Sequence, residues 1–139
     1  MYYILKSYKK NKWGRIINIT SSSVKSPVDN LIYSNSIRLA VVGLAKSLSI
    51  ELGPFGINVH NVAPGYHMTD GLERIIVKKV EAGQKREEVL NAWTDNIPVR
   101  RIGEPEDLAA LITFLASDKA GYLTGTTIPV EGGNYRGVI

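Results

Sequence analysis

The chain has 139 residues, 44% of them apolar and 22% charged, with a formal net charge of +4 and no cysteine. This is the composition of one ordinary globular domain; it excludes a disulfide scaffold and thiolate metal sites, and no apolar run approaches the roughly 18–20 residues of a membrane span. The lysines near the N-terminus are not followed by an apolar stretch, so a signal peptide is not expected and a cytoplasmic location is.

In chain order, residues 2–12 read as the end of a helix, and Lys9-Lys10-Asn11-Lys12 as its solvated tip. The other basic residues are dispersed. Nucleic-acid binding needs a continuous basic face with stacking aromatics, so no nucleic-acid partner is expected. Arg15-Ile-Ile-Asn-Ile-Thr20 is a β-branched run after Gly14 and reads as a buried strand. Ser21 to Leu31 carries Ser, Pro and Asp and reads as a loop. From Ser36 to Leu52, apolar residues at Ile37, Val41, Leu44, Leu48 and Leu52 predict a helix. Leu39 and Val42 give that helix a second apolar face. Pro54-Phe-Gly56 ends it.

Ile57-Asn-Val-His-Asn-Val-Ala63 predicts a second strand, stopped by Pro64-Gly65. His60 alternates with its apolar residues and reads as structural. Residues 66–98 carry two weaker helical patterns, one through Leu72, Ile75, Ile76 and Val80, the other through Val89, Leu90 and Trp93. Leu72, Ile76 and Trp93 suit either an apolar pocket or the core. After Gly103, Pro105 suits the first turn of a helix, and Glu104, Glu106 and Asp107 complement its positive end. Its stripe is Leu108, Leu111, Ile112 and Leu115. Thr126-Thr-Ile-Pro-Val130 predicts a third strand, ended by Gly132-Gly133. The acids at Asp70, Glu73 and 81–88 have no metal-like grouping, so no metal is expected. Strands alternating with helices imply right-handed crossovers and a parallel α/β sheet.

The segments Gly14-Arg-Ile-Ile-Asn-Ile-Thr-Ser21, Asn61-Val-Ala-Pro-Gly65, Pro98-Val-Arg-Arg-Ile-Gly-Glu-Pro105, Phe114-Leu-Ala-Ser-Asp118, Tyr122-Leu-Thr-Gly125 and Pro129-Val-Glu-Gly-Gly133 follow one another in an order that resembles the second half of a short-chain dehydrogenase/reductase. The branch it looks most like contains the 3-oxoacyl-acyl-carrier-protein reductases and related sugar and alcohol dehydrogenases. The resemblance implies that residues 1–139 are the C-terminal portion of one Rossmann-like, doubly wound parallel sheet. About three strands with flanking helices are expected, and 66–98 corresponds to the variable substrate loop. It implies an NAD or NADP cofactor, a small carbonyl or alcohol substrate, and a homo-oligomer, dimer or tetramer. The glycine-rich turn that grips the pyrophosphate belongs to the other half.

The family's reaction uses a serine that holds the substrate oxygen, a tyrosine thirteen residues later that moves a proton, and a lysine four beyond it. Ser21 matches the serine. Counting on places Ser34 in the tyrosine slot and Arg38 in the lysine slot. Gly43, five after Arg38, agrees with that register, because relatives carry a small residue there. Tyr33 lies one position early and is an alternative proton donor, if the backbone at the helix start redirects it. The resemblance further implies that Pro64, Gly65, His67 and Thr69 lie along the nicotinamide and pyrophosphate, with Arg38 near the ribose. Histidine is the side chain suited to acid–base work at physiological pH, which makes His67 a second alternative for the proton. A permanently charged, planar guanidinium does not replace an ammonium point charge, and a serine hydroxyl is a poor acid. The departures at Ser34 and Arg38 therefore leave open a catalytically impaired member that acts as an assembly partner or is inactive.

Overall fold

The computed structural model describes residues 2–138, with side chains from Leu5 onward. The β-branched run after Gly14 forms strand β1 (Gly14–Ile19), the run after Gly56 forms β2 (Ile57–Pro64), and β3 is Thr126–Val130. They pair in the order β1-β2-β3, all parallel, with Ile16 opposite Val59 and Val62 opposite Ile128. Parallel sheets need cover on both faces, and the two faces of β2 show how it is provided. Ile57 and Val59 pack with Ala45, Leu48 and Leu52 of helix α2 (Ile32–Leu52) and with Leu5 and Tyr8 of α1 (Tyr2–Asn11). Val62 faces the other way, into Leu108, Leu111, Ile112 and Leu115 of α5 (Pro105–Ala116), the stripe expected from the sequence. Helices α3 (Asp70–Glu81) and α4 (Arg86–Thr94) close a separate small core of Leu72, Ile76, Val89, Ile97 and Ile102. Among the described residues no helix is long and apolar enough to cross a membrane.

Two expectations need correction. Helix α2 begins at Ile32, four residues before the predicted start. Its first cap residue, Leu31, offers no side-chain bond, so nothing in the local sequence marks the boundary. The first turn is held by Asn35, whose side-chain amide reaches back to the Val28 carbonyl in the preceding loop at 2.9 Å while its backbone N–H makes the helical bond to Leu31 O at 2.8 Å. The stripe is also rotated. Ala45, Ser49 and Leu52 are the buried positions, whereas Ile37 and Leu44 are 64% and 57% exposed. Together with Leu39 they give the outer side of α2 an apolar surface. Within the described residues β1 has a partner on one edge only.

Gly56 shows why the helix–strand connection tolerates only glycine. Its φ is +70°, and a Cβ there would run into the Lys12 carbonyl oxygen.

His60 is fully buried on β2, where its Nδ1 lies 3.0 Å from the Thr126 hydroxyl. Burial, then the nearby Arg15 charge, holds its pKa below the ordinary 6.5. The folded protein therefore keeps it neutral where the unfolded chain begins to bind a proton. Stability rises with pH wherever the unfolded state binds more protons, so it falls as pH drops below 6.5 and levels off below the folded-state pKa. Urea unfolding between neutral pH and pH ~5 will show that acid slope, and His60→Gln will flatten it. An unchanged slope in the variant would assign the loss to other groups.

Candidate active site

The C-terminal ends of the three parallel strands open on one side of the sheet, the place where α/β folds present their ligands. A cleft of about 370 Å³ lies there. Ser21 and Ser22 border it from the end of β1, Pro64, Gly65 and Tyr66 from the end of β2, and Asn134 and Tyr135 from beyond β3.

Thr20 extends β1 by one step: its N–H and its hydroxyl both donate to Val62 O, at 2.8 and 3.1 Å. Ser21 then turns the chain. Its Oγ accepts from the Ser23 N–H at 3.2 Å and caps a short 3₁₀ turn over Ser22–Val24. A hydroxyl has one proton and two lone pairs. The cap uses a lone pair and leaves the proton free to point into the cleft. Capping and holding a substrate oxygen are thus compatible uses of this side chain.

Ser34 and Arg38 lie one turn apart on α2, both half-buried. Arg38 Nε donates to Ser34 Oγ at 3.1 Å, and its Nη1 donates to Thr20 O at 2.6 Å. The guanidinium therefore ties α2 to the residue preceding Ser21. Tyr33 is already inside the helix, about 100° around from Ser34, and is 82% exposed. The backbone does not redirect it, and it does not line the Ser21 cleft. With the ring in solvent, Tyr33→Phe is expected to leave both turnover and the urea midpoint unchanged. A large fall in kcat would show that the ring swings into the cleft during the reaction.

Beyond β2 the chain turns tightly. Gly65 N–H donates to Val130 O at 2.9 Å, and a Cβ on Gly65 would lie 2.6 Å from that of Glu131. Glycine is required there by the approach of the β3 end. His67 is buried and leans on Gly103, where a Cβ would meet the imidazole at 2.9 Å. Its Nδ1 sits 3.3 Å from Gly65 O, where the tautomer protonated on that nitrogen donates to the carbonyl. His67 borders a smaller cavity with Arg101, Asp107 and Glu131, beside the Ser21 cleft and not within it. Asp107 is held at about 2 by hydrogen bonds from Arg101 and from the Glu104 N–H. Thr69 accepts from Leu72 N–H at 3.3 Å and caps α3, and again the hydroxyl proton is left over.

Of the residues singled out from sequence, the structure brings Ser21, Pro64 and Gly65 to one cleft and ties Ser34 and Arg38 to Thr20, the residue before Ser21. His67 and Thr69 follow along the same loop. Tyr66, Asn134 and Tyr135 border the cleft without having been singled out. The signal for them is positional: Tyr66 directly follows Pro64-Gly65, and Asn134 and Tyr135 follow Gly132-Gly133.

These features have counterparts in known proteins. A family model described as enoyl-(acyl carrier protein) reductase matches residues 1–134. The chain is 42% identical over 134 residues to the 3-oxoacyl-[acyl-carrier-protein] reductase FabG of Haemophilus influenzae, covering 95% of this chain and 50% of that protein. The crystal structure of YwfH, an NADPH-dependent reductase involved in bacilysin biosynthesis, superposes with a TM-score of 0.85 at 35% identity, covering 94% of this chain and 50% of that one. ElxO with NADP bound gives 0.82 at 30% identity, covering 96% and 51%. The chain belongs to the short-chain dehydrogenase/reductase family. It spans about half the length of the relatives it matches, and its three parallel strands are part of their Rossmann-like sheet.

Proposed function

We propose that this chain supplies the substrate-facing part of an NAD(P)-dependent oxidoreductase that interconverts a carbonyl and an alcohol, in the manner of the 3-oxoacyl reductases. The observation that carries this reading is the Ser21 hydroxyl, held by its cap at the end of β1 with a proton to donate into a cleft made by all three strand ends. A hydroxyl fixed in that way orients a carbonyl oxygen and stabilises the negative charge that develops on it.

The donors along the second strand end suit the nicotinamide end of a dinucleotide. Gly65 permits close backbone approach, the Thr69 hydroxyl has a proton to give to a phosphate, and Arg38 keeps Nη2 beyond its two bonds. The bound cofactor would supply or accept the hydride. The chain's own residues then have three tasks: Ser21 holds the oxygen, Arg38 fixes the β1 end and faces the ribose, and the 66–98 loop covers the substrate. The exposed apolar surface of α2 supports a homo-oligomer with that helix in the interface.

Ser21→Ala tests the reading directly. Residues 1–139 are fused behind the dinucleotide-binding half of a 3-oxoacyl reductase relative and assayed with both reduced cofactors. Losing the one fixed donor is expected to lower kcat by about 10²-fold. Unaltered turnover would remove Ser21 from the chemistry.

A second reading, a catalytically impaired member, is favoured by the two contacts of Arg38. Arg38 is engaged with Ser34 and with a backbone carbonyl. Neither arrangement offers a phenol whose pKa, ordinarily about 10, a neighbouring cation brings toward neutrality.

A further inference from the structure

The Ser21 cleft does not end at Tyr66. A second cleft of about 740 Å³ shares Tyr66, Pro27, Val28 and Asn134 with it and runs on to Trp93 and Arg136. Between the two stands an aromatic pair. Tyr66 and Trp93 stack with ring centroids 4.9 Å apart and planes 13° from parallel. Trp93 covers one side of the Tyr66 ring. Tyr66 is still 37% exposed, and the part of the ring left open borders both clefts.

Each wall is fixed from behind. Trp93 packs against the buried cluster that contains Leu72, Ile76 and Val89. Arg86 on α4 donates two hydrogen bonds to Glu73 on α3, at 2.6 and 2.8 Å, across the surface of the helix pair that carries Trp93. Val28, which borders both clefts, has its carbonyl held by the Asn35 side-chain amide. The stacked aromatic pair and the aliphatic Pro27 and Val28 border the same space, a lining that suits a flat ligand. Flat rings stack on aromatic faces at centroid separations of about 4.5–7 Å and gain beyond simple area burial. A flexible alkyl chain gains no stacking and loses rotamer freedom when confined.

We propose that Tyr66 and Trp93 form a specificity wall for carbonyl or alcohol substrates that carry a planar ring system next to the reacting carbon, and that this ring lies between Tyr66 and Val28. The inference rests on the reading of the Ser21 cleft as the carbonyl site, and narrows its substrate from an open acyl chain to a flat cyclic ketone or alcohol. Tyr66 is a binding residue here, and Trp93 positions it.

The test is binding to the purified 139-residue chain, followed by calorimetry and saturation-transfer NMR. The probes are 2-tetralone, a cyclic ketone fused to a planar benzene ring, and 2-decanone, a straight chain of equal carbon number. The expected result is that 2-tetralone binds about tenfold more tightly, the scale of one aromatic stacking contact. Tyr66→Leu, at a partly exposed position, is expected to abolish that preference while binding of 2-decanone stays the same. Trp93→Leu, which keeps apolar packing behind Tyr66, is expected to reduce it with an unchanged far-UV circular dichroism spectrum. Equal or weaker binding of 2-tetralone, no saturable binding of it, or a preference that survives Tyr66→Leu would each overturn the proposal. Turnover in the fused protein separates this outcome from the proposed function. Tight binding of 2-tetralone without its reduction, in the parent or with Ser34→Tyr and Arg38→Lys combined, leaves the wall standing and removes the enzymatic reading. Reduction of 2-decanone in preference to 2-tetralone does the reverse.

Discussion

Ser34→Tyr combined with Arg38→Lys is expected to raise kcat by about 10²- to 10⁴-fold in the fused protein, the range that a positioned general acid contributes. The two side chains already sit in the right relation for this. They are one helical turn apart, joined at 3.1 Å, and Arg38 reaches the residue before Ser21. A tyrosine at 34 would extend from the same side of α2 toward the strand ends, and a lysine at 38 would lower its pKa as an opposite-charge neighbour. The lysine matters because the guanidinium is a planar fork bonded at two points, whereas an ammonium is a compact charge that reorients. Arg38→Lys alone is expected to add little, because a serine hydroxyl gains nothing useful from a nearby cation. Steady-state kinetics with a ring ketone and with a straight-chain ketone will measure both effects.

Arg38→Ala is expected to destabilise the chain by about 2–3 kcal/mol, because hydrogen bonds to charged groups contribute roughly 1.5–3 kcal/mol each and the lost donors leave acceptors behind. The main loss is the 2.6 Å bond to Thr20 O. The bond to Ser34 adds less, since Ser34 is half-buried and water can replace the donor. The cost will read as a lower urea midpoint with an unchanged slope. Ser34→Ala is expected to cost under about 1 kcal/mol, below the usual range for a charge-assisted bond, because both groups are half-exposed and water can replace the lost acceptor. An Arg38→Ala variant as stable as the parent would mean that the α2–β1 tie is incidental, and the account of how Ser21 is held would fail with it.

Much of this architecture could be read from residue patterns. The strands announced themselves because β-branched runs bounded by glycine and proline have few other uses, and α5 because Pro105, its acidic first turn and its stripe all agree. The start of α2 was invisible because the contact that holds it, Asn35 to Val28, joins a loop to a helix with no local capping signal. The rotated face of α2 was hidden for a different reason. Its apolar residues surround most of the helix, so periodicity alone does not say which side meets the sheet. The serine at position 21 and the spacing to 34 and 38 were legible by counting. That Arg38 bonds a backbone carbonyl was not, because it depends on where the end of β1 stands relative to α2. The open question between core and pocket at Leu72, Ile76 and Trp93 resolves by residue: the first two are buried in the α3–α4 core, and Trp93 lies at its edge, stacked on Tyr66.

The most direct test of the central claim, that a Ser21 carbonyl site persists here while the proton-transfer pair beside it has been replaced, is a kinetic cycle in the fused protein. It compares the parent with Ser34→Tyr, Arg38→Lys and the double variant, each with and without Tyr33→Phe. The account predicts a low parent rate, small gains from the single changes, a much larger gain from the pair, and no response to Tyr33→Phe in any background. A fast parent rate that Tyr33→Phe abolishes would contradict it and would make Tyr33 the proton donor.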